Sequence, residues 1–537
     1  MMLSKIRLSN RARLLRSSTL RDFSGGWNSD DTSLNLAPRF LTKAINITIG
    51  GDGAPKVRQG YDFLANVGAP IVEVAYFNNA FVAICQDGRL FRVEANGAVD
   101  LIWSNAIAAF LPGSPSGWGD TDFASYEQFN GSLIVCNGSD KPIKIDKNFV
   151  VEYLQDEATN SNINVPVCRY VVAASRYLCM FGDPVNPNRV HISARDAAGT
   201  WFGDPPPNDA TFADIGSNLA NASVIRGGVA FRGRLLVFFA EGTVVGQLGT
   251  YNDSNEHTPD FNDAIDQYGC ISHRAAVAVG DDGIIADYTS VSTLRRTVLS
   301  QNFKPEPISD LIRKNYVSEV SRFTPEAAED RIFAVWEPID GRYMLFVPNN
   351  VAPDAATETR VFVLNYSASE RANRWTEFRG WNFTCGCRTL LGNVVFGDYN
   401  GNLWLLGNSQ RPINSDNGND IVFEFETPWI PFGSAVDVKN SKYISFDTEG
   451  TAEFQVRMFV DRWNDAPACV GDFSGGDQGG FGNGNQPFGG GRNTSFKKKY
   501  GWPAKFLIAK FNFSGSTKQP FRLVGMSLEY LQGGTRR

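Results

Sequence analysis

A chain of 537 residues is too long for one ordinary domain of roughly 100–200 residues, and it suits a multi-bladed β domain with one or two smaller β domains. Apolar residues make up 42%, and plentiful Phe (39) and Gly (52) against few Met (6) favour strands and turns over long helices. The net charge of −6 argues against a protein whose main task is to grip nucleic acid over a broad basic face, while leaving open a channel through which nucleic acid slides.

Residues 1–24 form a basic arm. Lys5, Arg7, Arg11, Arg13, Arg16 and Arg21 are opposed only by Asp22. Such an arm docks on an acidic partner or on DNA, or it is a solvated tail. It contains no apolar core of a secretory signal, and nowhere does an apolar run reach the roughly eighteen residues of a membrane-spanning helix.

From about residue 60 to 410 one pattern recurs: a short apolar run, a tight turn, and a second apolar run. The turns centre on Gly88, Gly138, Gly242, Gly283, Gly341 and Gly401, with CMFGDPVNPNRVHIS around Pro187 filling the same slot. Asp-Gly and Asn-Gly supply the positive φ of hairpins. Their recurrence every 40–60 residues or so is the range of propeller repeats. Runs such as Leu235 to Ala240 are apolar on both faces, as strands sandwiched between neighbouring blades must be. The fold expected is all-β: a β-propeller of six or seven blades over residues 25–410, including its N-terminal β segment, with an additional small antiparallel β domain. An array of plain sandwiches is the alternative. One short helix is expected in PEPISDLIRKNY, where Ile308, Leu311, Ile312 and Tyr316 share a face and Ser309 or Asp310 can cap.

Residues 411–537 form the second β domain. Phe454, Val456, Met458 and Val460 alternate with Gln455, Arg457, Phe459 and Asp461, and in FRLVGMSLEYL the apolar phase breaks at Gly525, the mark of a bulge. Within this domain residues 471–500 are too Gly-rich to build a core and form a long loop. Its Phe473, Phe481, Phe488 and Phe496, with Lys497, Lys498 and Lys499, belong either to a plain surface loop or to a functional tip at a channel.

Catalytic constellations are missing. His191, His257 and His273 lie far apart and in no metal-binding motif, and Cys385-Gly-Cys387 has no second pair at ligand spacing. The eight cysteines sit mostly in apolar runs, as packed free thiols of a reduced compartment would. There is no nucleophile elbow and no phosphate-binding loop. Asp196, Asp281, Asp282 and Asp398 fall in turns, where Asp is at home without any catalytic role. The segment SARDAAGTW, Ser193 to Trp201, resembles the Asp-box of sialidase propellers with an extra residue in each gap; it reads as a turn backed by Trp201. No catalytic, cofactor-binding or metal residue is assigned, and no enzyme activity is expected.

Several segments in order resemble the tail nozzle and packaged-DNA stabilising proteins of short-tailed bacteriophages (podoviruses). They are DFSGGWNSDDTSLNLAPRFLTKAINITIGGDGAPKVRQGYDFL, LCMFGDPVNPNRVHISARDAAGTW, GRLLVFFAEGTVVGQLGT, YGCISHRAAVAVGDDGIIADYTSVSTLRR, KNSKYISFDTEGTAEFQVRMFVDRW and FRLVGMSLEYLQGGTRR. Together they span most of residues 23–537; Gln59 stands where that family often has Pro. The resemblance implies a homohexameric ring in the virion tail, assembled in the host cytoplasm below the portal and adaptor. It further implies contacts with tail fibre or spike proteins and transient passage of double-stranded DNA. The arm residues Lys5, Arg7, Arg11, Arg13, Arg16 and Arg21 would then dock to the adaptor, and the loop residues Phe473 to Lys499 would lie at the distal constriction. A carbohydrate-binding or carbohydrate-cleaving propeller and a host-adhesion protein are the competing readings.

Overall fold

The computed structural model describes residues 15–104, 118–156, 160–204, 209–219, 223–251, 257–279, 282–294, 306–348, 359–366, 374–461, 466–475, 492–493 and 500–535. The chain forms two compact units. One is a propeller, Tyr61–Leu364 with Arg379–Arg411; the other is a β unit of Met1–Gly60, Asn365–Phe378 and Pro412–Arg537.

The propeller has six four-stranded antiparallel blades. Blades 1 to 5 occupy 71–103, 125–153, 170–214, 225–266 and 277–307, each built from consecutive strands. Next come the strands Phe333–Glu337, Arg342–Val347 and Thr359–Asn365, whose innermost strand sits beside the inner strands of blades 5 and 6 and so completes the circle. Blade 6 combines Phe383–Arg388, Val394–Asp398 and Asn402–Leu406 with Tyr61–Asn66, which is the first strand of the unit. Leu403 pairs with Ala65 and Leu406 with Tyr61, so the ring is closed by hydrogen bonds between its two chain ends. Tyr61 packs edge-on against Phe383 and Trp404, with both ring centroids at 5.2 Å.

The core lies between blades. Tyr170, Phe181, Val237 and Phe239 fill the seam of blades 3 and 4, and Cys85, Cys385 and Cys387 fill that of blades 6 and 1. Seven of the eight cysteines are buried and none is paired, so they act as small apolar filler. Gly88, Gly138, Gly341 and Gly401 turn their hairpins at positive φ, as expected. Gly242 and Gly283 depart from that expectation and lie inside strands. At Gly242 the reason is space, since a Cβ there would come 2.8 Å from Leu219 Cδ2.

The expected helix is α1, Arg313–Val320, entered through a 3-10 turn at Asp310–Ile312. Neither Ser309 nor Asp310 caps it by a side-chain bond; the Ser309 hydroxyl instead accepts from Val291 N–H at 2.8 Å. A second helix, α2 (Pro325–Arg331), was not foreseen, although Thr324 caps it and Pro325 starts it.

Among the described residues the β unit has two large sheets and a short parallel pair of Gly26–Trp27 with Phe40–Leu41. In one, Lys43–Ile45 lies between Glu377, parallel at Ile45, and the antiparallel Ile421–Glu426; Ala509–Thr517, Ala452–Val460 and Cys469–Gly475 follow. The other carries Leu15–Leu20, Ile47–Ile49, Pro55–Val57, Asp437–Gly450 and Phe521–Thr535, with the expected irregularity beside Gly525. Phe446 of this sheet meets Phe454 and Phe513 of the other, at 5.6 and 6.1 Å between ring centroids. Residues 25–60 therefore belong to the β unit rather than to the propeller, because Lys43–Ile45 finds its partner at Ile421–Glu426.

The two stretches that flank the propeller in sequence are clasped together within the β unit. Arg58, 1% exposed at its side chain, reaches Asp416 through Nη2–Oδ2 at 2.6 Å and Nη1–Oδ1 at 2.8 Å, and donates from Nε to Asn46 at 2.9 Å. Gln59 Oε1 accepts from Ile413 N–H at 2.9 Å, and Gly60 N–H donates to Ile413 O at 2.7 Å. Replacing Asp416 by Asn removes the bidentate carboxylate from a buried guanidinium. The expected cost is about 3–5 kcal/mol, read as faster hydrogen exchange throughout the β unit; unchanged exchange would show the pair to be dispensable.

Candidate functional site

Where the chain enters successive inner strands of the propeller, charged residues converge. Glu73 is in the inner strand of blade 1, Arg169 and Tyr170 begin that of blade 3, and Arg226 lies in that of blade 4. Ser272, His273 and Arg274 form the turn before blade 5, while Glu329 and Asp330 come from α2. The equivalent position of these segments in each blade brings the residues together as one hub.

Glu329 is its centre. Arg169 Nε lies 3.0 Å from Oε1, Tyr170 O–H donates to the same oxygen, and Arg226 Nη1 pairs with Oε2. The Ser272 hydroxyl donates to the Glu329 carbonyl at 2.8 Å. Arg169 also pairs with the Asp330 carboxylate. Arg274 bonds the Asp330 carbonyl, Val72 O at 3.0 Å and Glu73 Oε2 at 3.3 Å. Phe123 underlies two of the guanidiniums, 4.5 Å from Arg169 and 5.3 Å from Arg274. Burial pushes the Glu329 carboxyl up to about 7 against the pull of Arg169, and it raises Glu73 against Arg274. Burial, helped by Arg274, takes His273 down to about 4, so at neutral pH its Nδ1 is free to accept the Gly228 N–H at 3.2 Å.

Beside the hub, between blades 4 and 5, a cavity of about 520 Å³ is lined by Glu241, Asp266, Asp287 and Tyr288 among others. Asp287 accepts from Thr289 N–H and Ser290 N–H, so its carboxylate serves the turn. Among the described residues no group of three or more His, Cys, Asp or Glu is arranged to hold a metal ion. At the Asp-box-like segment Asp196 adopts φ 58° and Trp201 is 2% exposed, a turn packed on its Trp.

The residues singled out from sequence lie elsewhere. Arg16 is in the edge strand Leu15–Leu20, opposite Tyr530, and Arg21 follows it beside Gly525, so the last third of the basic arm belongs to a sheet. Lys5, Arg7, Arg11 and Arg13 lie outside the described residues. Phe473 is no tip residue: it is buried against Phe446, Phe454, Tyr500 and Trp502 at the end of a strand. Phe481, Phe488, Phe496, Lys497, Lys498 and Lys499 lie outside the described residues. The hub itself was missed. Its signal was an ionic residue at or just before an apolar inner strand, as in CRYVV, VIRGGVAF, SHRAAV and EDRIFAV.

Fold and hub together define a β-propeller protein. No protein-family model and no curated protein matches the sequence. Similar solved structures are propellers of low identity. PorZ, a surface component of the type-IX secretion system of Porphyromonas gingivalis, matches at 11% identity and TM-score 0.36, over 64% of this chain and 37% of its own. A streptogramin B lyase matches at 9% identity and TM-score 0.39, over 65% and 98%. BamB from Moraxella catarrhalis matches at 12% and 0.33, over 73% and 99%.

Two outcomes follow. Because the folded Glu329 carboxyl titrates near 7 and the unfolded one near the ordinary 4.5, its contribution is greatest below pH 4.5 and is lost as pH rises through 7. The stability of the native protein relative to Glu329→Gln should therefore fall between pH 5 and 8, by on the order of 2–3 kcal/mol, in paired denaturation curves; a constant difference would contradict the buried titration. Phe473→Ala should destabilise the β unit by about 3–5 kcal/mol, whereas a solvent-facing Phe473 would give almost no change.

Proposed function

We propose that the chain is a structural subunit of a short phage tail: a nozzle ring of six copies, docked below the portal and adaptor, that retains the packaged genome and lets it out. The observation that carries this reading is the order of the six resembling segments along residues 23–537. Several of them coincide with the joints of the molecule. KVRQGYDF holds Arg58 of the clasp and the closing strand, YGCISHRAAV holds the blade 5 side of the hub, and FRLVGMSLEYL holds the irregularity beside Gly525.

Two physical points support the same reading. Glycosidic cleavage needs two carboxylates free to act across a pocket, and Glu73, Glu329 and Asp330 are each engaged by arginine. A ring that passes DNA should hold it weakly, since every phosphate contact adds affinity; a chain of net charge −6 suits that. Six identical subunits meeting head to tail close such a ring through heterologous contacts.

Particles assembled without this chain, all other head and tail components being present, test the role. The expected result is heads that lose their DNA or leave it open to nuclease. Full, nuclease-resistant heads in normal number would overturn it.

A further inference from the structure

Three arginines from three successive blades, Arg169, Arg226 and Arg274, point their guanidiniums into one small volume, and two of their carboxylate partners come from the helical insertion between blade 5 and the strand Phe333–Glu337. We propose that these arginines form a phosphate-class oxyanion site of the propeller, which the chain's own Glu329 and Asp330 fill as an internal ligand. An external oxyanion takes their place when the two carboxylates are displaced.

The argument starts from cost. The side chains of Arg226 and Arg274 are 10% and 9% exposed, and a guanidinium so buried must have an anion beside it. Their own blades do not supply one. Arg226 pairs with Glu329 of α2, while Arg274 pairs with Glu73 of blade 1 and bonds the Asp330 carbonyl. The carboxylates present also leave donors unused. The Nε–H groups of Arg226 and Arg274 are buried without a hydrogen-bond partner. Two orphaned donors in one hub are expensive to leave unmade, and planar guanidinium forks match the oxygens of phosphate and carboxylate. A tetrahedral oxyanion brings its four acceptor oxygens to one point, where forks arriving from three directions can share them. Burial adds to the imbalance: it drives Glu329 and Glu73 toward the neutral acid, leaving the arginines in excess. A cavity lies near the site. Tyr288 lines the cavity of about 520 Å³, and its ring lies within electrostatic reach of Arg226.

This inference stands apart from the tail assignment and is tested on the full chain alone. The double variant Glu329→Gln/Asp330→Asn keeps the shapes and removes both charges. Inorganic phosphate is titrated in by calorimetry at neutral pH, against sodium chloride of equal ionic strength. The variant should bind phosphate at least about tenfold more tightly than the native chain, the gain of one charge-assisted hydrogen bond. It should melt higher in phosphate than in matched chloride, and adding Arg226→Met should abolish both effects. Should the double variant fail to fold, the single Glu329→Gln variant takes its place with the same readings. Equal affinity for phosphate in native and variant chains, or equal melting in phosphate and chloride, would overturn the proposal.

Discussion

The ion pair between Arg58 and Asp416 is the constraint that fixes the junction of the β unit's chain segments. It ties together the residues just before and just after the propeller in the chain. The closing strand starts at Tyr61, the residue after Gly60 of the clasp, and blade 6 ends at Leu406. A propeller has no covalent ring. Its last blade must recruit a strand from the other end of the unit, and the entropy of bringing those ends together falls when a short, fixed loop separates them. Gln59 and Gly60 reinforce the clasp through Ile413, and a Cβ at Gly60 would sit 1.9 Å from Ser415 O, so no larger residue fits.

At the centre of the propeller the same problem is met differently. Neighbouring blades are held by apolar seams, which are tolerant of small rotations. The hub is directional: Glu329 takes Arg169, Tyr170 and Arg226 from two blades, while Ser272 holds its carbonyl from a third. Buried charges of this kind add little net stability, and breaking one is costly. Their consequence is a fixed register of α2 against the blades, with the chemistry of three arginines concentrated at one point.

Much of this was legible in the sequence, for physical reasons. Hairpin turns at Gly88, Gly138, Gly341 and Gly401 need positive φ, which leaves a local mark. The alternation of Phe454, Val456 and Met458 records a half-buried strand. Long-range pairing leaves no such mark. Nothing near Lys43 says that its strand will pair with Ile421–Glu426 after the whole propeller has intervened, so the domain boundary was placed too early in the chain. Phe473 sits at the head of a Gly-rich tract and was grouped with it by composition, yet its own strand, Cys469–Gly475, carries it into the core. The hub residues were visible only as single ions beside apolar runs, and a single ion gives no sign of which others it will meet.

The propeller is closed by its own chain ends and pinned at its centre. The proposed function sets six such propellers in a ring on a phage tail. Electron microscopy of the purified chain mixed with DNA-filled, tailless particles tests this most directly. The account predicts a six-fold ring seated at the portal vertex; a chain that stays monomeric, leaves the particles bare and hydrolyses glycans would contradict it.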